Sequence, residues 1–283
     1  PSSGTDTRAQ INDNNFTVSL SETTDGGVTI SSSFMLANED AVDGDLDAGF
    51  TLAFTDGSKL DVINAGNASG SHDISVPGSA GAEGVTVTTA NLAPTGLDFA
   101  TGATVFGVED HTASAFLADG LSMSFSASTD NGAAAGTTYK NDGHLALGGT
   151  YVTDLGDSAV TIGFGLSETE GSTNGTSPST EEGGVHIGVS AVTGDLTVAL
   201  GFADGDHMGA TTAGTPDREL DSEVLKAGLK YVSGDLTFNV GVASGEADDH
   251  AIGGDDGADD SKDVTSASVS YAVAAGVTAI LGY

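Results

Sequence analysis

The feature that most narrows what this chain can fold into is a strict two-residue alternation between bulky apolar and small side chains. In "DLTVALGFA" (Asp195 to Ala203), Leu196, Val198, Leu200 and Phe202 fall on one face of an extended chain, and Thr197, Ala199, Gly201 and Ala203 on the other. "DLTFNVGVA" (Asp235 to Ala243) repeats this with Leu236, Phe238, Val240 and Val242 opposite Thr237, Asn239, Gly241 and Ala243. The same rule sets Leu121, Met123 and Phe125 against Ser122, Ser124 and Ser126, and Val160, Ile162, Phe164 and Leu166 against Thr161, Gly163 and Gly165. The second face is small or polar throughout.

Composition decides which solvent each face meets. Only 38% of the 283 residues are hydrophobic and 6% aromatic, while Gly reaches 42, so a dense core of large side chains is not available. The order of the apolar residues also argues against disorder, which would leave them sparse and aperiodic. A soluble β-sandwich or solenoid alternates too, but its outer faces carry Lys, Glu, Arg and Thr over a packed interior. Here the faces opposite the apolar ones are Gly, Ser, Thr and Ala, and the charge gathers in the connections. An apolar wall facing lipid, backed by a face turned to water, accounts for that division.

The alternation predicts fourteen strands, near residues 7–20, 28–38, 46–54, 59–64, 112–118, 121–129, 144–153, 158–167, 184–192, 196–204, 222–232, 235–243, 264–273 and 277–283. Tight Asp/Gly turns at 55–58, 119–120, 154–157, 193–195, 233–234 and 274–276 alternate with long polar connections at 130–143, 168–183, 205–221 and 244–263. The longest connection, 65–111, has 47 residues, a length that usually signals function. Short turns at one end and long loops at the other are the layout of an all-β, antiparallel up-and-down transmembrane barrel.

With 41 acidic residues against seven basic ones, the net charge of −34 repels nucleic acid and attracts cations. Cysteine is absent, which removes disulfide and thiolate chemistry. There is no run of eighteen apolar residues to make a membrane helix, and "PSSGTDTRAQ" lacks a signal-peptide pattern, so any signal is expected to lie outside this chain. His72, His111, His144, His186, His207 and His250 show no paired metal-ligand spacing and are read as solvated. "DGDLDAG" (Asp43 to Gly49) imitates half a calcium loop but has Phe54 where a bidentate Glu is needed. "GGDDGADDSKD" (Gly253 to Asp263) reads as a hydrated acidic loop tip able to bind Ca²⁺ only loosely, so no cofactor is expected beyond that. Neither GxSxG, a P-loop nor a dinucleotide fingerprint occurs, which leaves an enzyme reading without support.

The stretch "TDTRAQINDNNFTVSLSETTDGGVTISSSFMLANEDAVDGDLDAGFTLAFTDGSKLDVINAG" resembles the general porins of Gram-negative bacteria, particularly the alphaproteobacterial ones. The likeness spans the chain in layout and about the first 65 residues in letters. It implies a sixteen-stranded barrel in the outer membrane whose third long loop folds into the channel after the fifth strand. Since 65–111 follows the fourth strand counted here, residues 1–283 are expected to form a single barrel domain lacking one strand at each end. The resemblance further implies passive diffusion of small hydrophilic solutes and ions, a homotrimer, and outer-membrane lipid and lipopolysaccharide as surroundings.

On this reading Asp73, Glu83, Asp98, Glu109 and Asp110 line the inward loop. Strand parity turns Lys59, Asp61, Lys226 and Lys230 toward the lumen, together with Asp13. Porins of this family set arginines on the wall opposite the acidic loop, whereas Arg8, the nearest equivalent, has the wrong parity unless a bulge re-aims it. A weakly cation-preferring pore follows. A secreted or cell-surface acidic protein that binds Ca²⁺ and acts in adhesion shares the charge and the Gly content; it would be soluble without detergent and gain structure with calcium.

Overall fold

The computed structural model describes residues 15–37, 49–62, 68–78, 107–129, 140–172, 181–209, 218–251 and 260–282. These form one sheet of fourteen antiparallel strands in strict chain order. The first half comprises β1 (Asn15–Thr23), β2 (Thr29–Ala37), β3 (Phe50–Ala53), β4 (Lys59–Val62), β5 (Gly107–His111), β6 (Leu121–Thr129) and β7 (Lys140–Leu155). The second comprises β8 (Ser158–Ser172), β9 (Glu181–Thr193), β10 (Leu196–Gly209), β11 (Arg218–Ser233), β12 (Leu236–Ala251), β13 (Asp260–Ala274) and β14 (Val277–Gly282). Every strand pairs with its neighbour in sequence, which is the up-and-down topology that the alternation predicts. Among the described residues the only helical element is the 3₁₀ turn Gly70–His72.

Burial is inverted relative to a soluble domain. Leu200 and Phe238 are 50% and 40% exposed, while Ser266 and Asn239, on the opposite face, are 0% and 4% exposed. Phe125, Leu166, Ile187, Leu225, Val240 and Val242 join the exposed set, and Ser124, Ser126, Ser167, Ser268 and Ser270 the buried one. A membrane resolves the inversion: lipid covers the apolar face, and the antiparallel ladder satisfies the backbone groups that lipid cannot hydrogen-bond.

Short connections close the hairpins at one end. Leu155 pairs with Ser158, Thr193 with Leu196 and Ser233 with Leu236, each across a Gly-Asp pair. Gly156, Gly194 and Gly234 have φ of 64°, 56° and 59°, the first central position of a turn whose twist matches the strands. Nothing lies within 4 Å of a Cβ added at Gly234, so Gly234→Ala should cost only backbone strain, about 1–2 kcal/mol. Urea unfolding from vesicles should register that loss without a change in channel properties.

Two expectations are corrected. The fifth strand is Gly107–His111 rather than 112–118, because the apolar "TASAFLA" pattern there is bent: Ala115 has φ 72° and the Phe116 amide donates to the Ala113 carbonyl. The connection counted as 65–111 therefore ends at the start of β5, and Glu109 and Asp110 belong to a strand. Acids placed in loops also belong to strands: Glu168 and Glu170 lie in β8, Glu181 and Glu182 in β9, Glu219 in β11, and Asp260 and Asp263 in β13. These strands run on past the apolar band. There Asp206 opposes Asp221, and Asp204 opposes Glu223, which in turn opposes Glu246. Like charges face to face weaken a ladder, and the backbone hydrogen bonds of the pairing offset this.

Candidate pore constriction

The segment Ala68 to Gly78 crosses the inner face of the sheet. At one end the Ala68 amide donates to Ser126 Oγ of β6, 3.0 Å away; at the other the Ser266 hydroxyl of β13 donates to the Gly78 carbonyl. The segment passes over eight strands, β6 to β13, turning at Gly70–His72 and at Gly78.

What lets it lie so close is a row of glycines. A Cβ at Gly148 would overlap the Ala68 carbonyl, one at Gly163 the His72 carbonyl, one at Gly228 the Pro77 carbonyl and one at Gly241's neighbour in space, Gly78, the backbone of β12. A Cβ at Gly188 would meet the Ile74 side chain, and one at Gly201 would stand 3.2 Å from Val76 Cγ2. Cross-strand register sets the glycines in two runs, Gly163–Gly188–Gly201 and Gly228–Gly241, with Lys226 opposite Gly201 between them. The small face is therefore partly a seat for a peptide, not only a water-facing wall. The sequence holds a signal for this: Gly188 and Gly228 stand six residues before the turn glycines Gly194 and Gly234, and Gly201 and Gly241 seven after them.

Three histidines meet where the segment is seated. His72 Nδ1 is 2.7 Å from Thr150 Oγ1 and its Nε2 is 2.8 Å from Ser124 Oγ. Ser124 Oγ is also 2.7 Å from His111 Nδ1, and His111 Nε2 lies 2.9 Å from Asp61 Oδ2. Asp61 only accepts, so with neutral rings the chain of donors runs from Thr150 through His72, Ser124 and His111 to Asp61. His186 Nε2 donates to the Ser69 carbonyl at 2.8 Å, while its Nδ1 stands 3.8 Å from Asp73 Oδ1. Ser71 donates to Glu109 Oε1 at 2.8 Å. These contacts correct the expectation of solvated histidines for positions 72, 111 and 186, which no sequence spacing joins.

Of the residues expected at the constriction, the structure gathers Asp61, Asp73 and Glu109 on the inner face around the loop segment. Lys59 shares that face, 3.3 Å from Asp61 Oδ2. Lys226, opposite Gly201, and Lys230 have the parity of Gly228 and face inward as expected. Asp110 does not belong with them: it opposes Leu60 and Phe125, on the apolar face, because one step along a strand reverses the side chain. Arg8, Asp13, Glu83 and Asp98 lie outside the described residues.

Burial, and then the charges of His111 and His186, hold the His72 pKa below the ordinary histidine value. A released loop would restore that value, so the seated form binds fewer protons. Its stabilisation by neutral His72 is complete above about pH 6.5 and declines as the pH falls from there toward the lowered value. Asp61, Glu109 and Asp73 also face this cluster and temper the effect. Acidification from pH 7.5 to 5 should therefore increase open-channel current noise, and His72→Gln should reduce the increase; unchanged noise in the wild type would count against a titrating seat.

A sheet whose apolar face is turned outward, and whose inner face holds a loop segment among charged groups, has the architecture of an outer-membrane β-barrel. The model of the Gram-negative porin family matches residues 1–283, and the chain belongs to that family. No curated protein sequence matches at a significant level. Among solved structures, a porin refined at 1.8 Å is similar with a TM-score of 0.63 and 16% identity, over 95% of this chain and 85% of that one. OmpT of Vibrio cholerae, folded in vitro, is similar with a TM-score of 0.61 and 14% identity, over 96% and 80%. A mutant of the Rh. blastica porin follows with a TM-score of 0.56 and 16% identity, over 95% and 83%. The chain is an outer-membrane porin.

Proposed function

We propose that this porin is a water-filled, weakly cation-preferring channel for passive diffusion of small hydrophilic solutes and ions. The observation that carries the preference is the gathering of Asp61, Asp73 and Glu109 around the seated loop, where Lys59 is the one lysine in contact with them among the described residues. Fixed charge at a narrow passage sets the local ion concentration, and its reach in physiological salt is only about 8 Å, so the acids at the far strand ends are largely screened. The OmpT structure is in a trimer form, which supports a homotrimer as the working assembly here. Lipid and lipopolysaccharide surround the apolar band on this reading, with loosely held divalent cations at the acidic strand ends.

Reversal potentials under a KCl gradient across a planar bilayer test the preference. The wild type should favour K⁺, less so at high salt, and neutralising Asp61, Asp73 and Glu109 together should move the potential toward zero. An anion-selective wild type, or a triple variant indistinguishable from it, would remove these residues as the filter.

A further inference from the structure

Asp61 of β4 and Glu109 and His111 of β5 bring two carboxylate oxygens and one imidazole nitrogen within 4.8 Å of one another on the inner face. Register produces the arrangement: Asp61 opposes Glu109 directly, and His111 follows two residues along the same face, opposite Lys59. His111 Nε2 is 2.9 Å from Asp61 Oδ2 and 3.5 Å from Glu109 Oε1. Neighbouring ligands of an ion bound at about 2.0–2.2 Å stand about 2.8–3.6 Å apart in octahedral or tetrahedral geometry, so the nitrogen already holds ligand-to-ligand spacing from both oxygens. Glu109 is 2% exposed, and a carboxylate buried beside a second one calls for a cation. Lys59 reaches Asp61.

The surroundings of His111 supply an independent argument. A ligating histidine is normally oriented by a partner at its other ring nitrogen, and Ser124 Oγ occupies that place, 2.7 Å from Nδ1. If an ion replaced the proton on Nε2, Nδ1–H would donate to Ser124, whose hydroxyl would turn to His72 Nε2, and His72 Nδ1–H would donate to Thr150. Every linking group is a hydroxyl or an imidazole able to give or take a proton, so the chain can run in either direction between His111 and Thr150.

We propose that Asp61, Glu109 and His111 form a pore-wall site for a divalent transition-metal ion of the Zn²⁺ class, with water of the channel completing its coordination. Imidazole beside carboxylate suits Zn²⁺, Cu²⁺ or Ni²⁺, whereas Mg²⁺ takes oxygen ligands. The displaced Nε2 proton leaves to solvent while Thr150, at the far end of the chain, takes one up, so the linked side chains stay neutral; Lys59 competes with the ion for Asp61.

Calorimetric titration of the folded protein in detergent with ZnCl₂ tests the site, and because it reads binding it is independent of ion selectivity. One Zn²⁺ per chain should bind, with MgCl₂ giving no comparable heat. His111→Gln should weaken Zn²⁺ binding at least tenfold, and Lys59→Met should leave it as tight or tighter. Heat-resistant gel migration establishes that each variant is folded, and Asp61→Asn, with the same expected loss, serves if His111→Gln does not fold. Failure of the folded wild type to take up Zn²⁺, undiminished binding in a folded His111→Gln or Asp61→Asn variant, or weakened binding in Lys59→Met would overturn the proposal.

Discussion

Valine in place of Gly163 or Gly228 should lift the loop from the wall and raise single-channel conductance while leaving the barrel folded. A Cβ at Gly163 would overlap the His72 carbonyl and one at Gly228 the Pro77 carbonyl, both backbone atoms that a rotamer change cannot move. Overfilling a packed contact costs about 1–3 kcal/mol, and here detaching a loop segment relieves it more readily than distorting a continuous ladder. Valine is also a better strand residue than glycine, so the sheet loses nothing locally. Gly201→Ala is the control, since its Cβ would meet side-chain atoms, Val76 Cγ2 at 3.2 Å and Lys226 Cβ at 3.9 Å, and no backbone. Planar-bilayer recordings should show larger conductance for the two valine variants and near wild-type values for Gly201→Ala. Equal conductance in all three would mean that the segment does not narrow the channel.

Arginine at Leu200 or Phe238 should prevent much of the protein from folding into bilayers. Both side chains lie on the outward apolar face, and an arginine facing the lipid midplane of such barrels costs about 2–4 kcal/mol, a large share of a typical folding free energy. Thr237→Ser, one residue from Phe238 but on the inner face, should fold like the wild type. The folded fraction recovered in lipid vesicles separates these outcomes. Similar recovery for Thr237→Ser and Phe238→Arg would reverse the assignment of faces.

Both predictions rest on faces that period-two alternation reveals from letters alone. The reversals of the β7–β8, β9–β10 and β11–β12 hairpins are legible as well, because Gly-Asp turns at 156–157, 194–195 and 234–235 mark them. Part of the site followed by parity: Lys59, Asp61, Lys226 and Lys230 face inward as their spacing requires. Asp110 did not, because it was counted within a loop, where parity has no meaning; once Gly107–His111 is a strand, its outward direction is forced. The strand ends of β8 to β13 were misjudged for a related reason. Hydropathy marks where lipid stops, but backbone pairing continues into water as long as two neighbouring strands can still hydrogen-bond.

The alternation of side chains and the chemistry of the turns are local properties, and by themselves they determined the fold class, the two faces and the order of pairing. The seat of the loop and the meeting of His72, His111 and His186 were decided only by tertiary structure. His72 and Ser124 are 52 positions apart, Ser69 and His186 117, and Gly78 and Ser266 188. Contacts at such separations depend on where one loop segment crosses eight strands already held in register, and no short stretch of sequence carries that information.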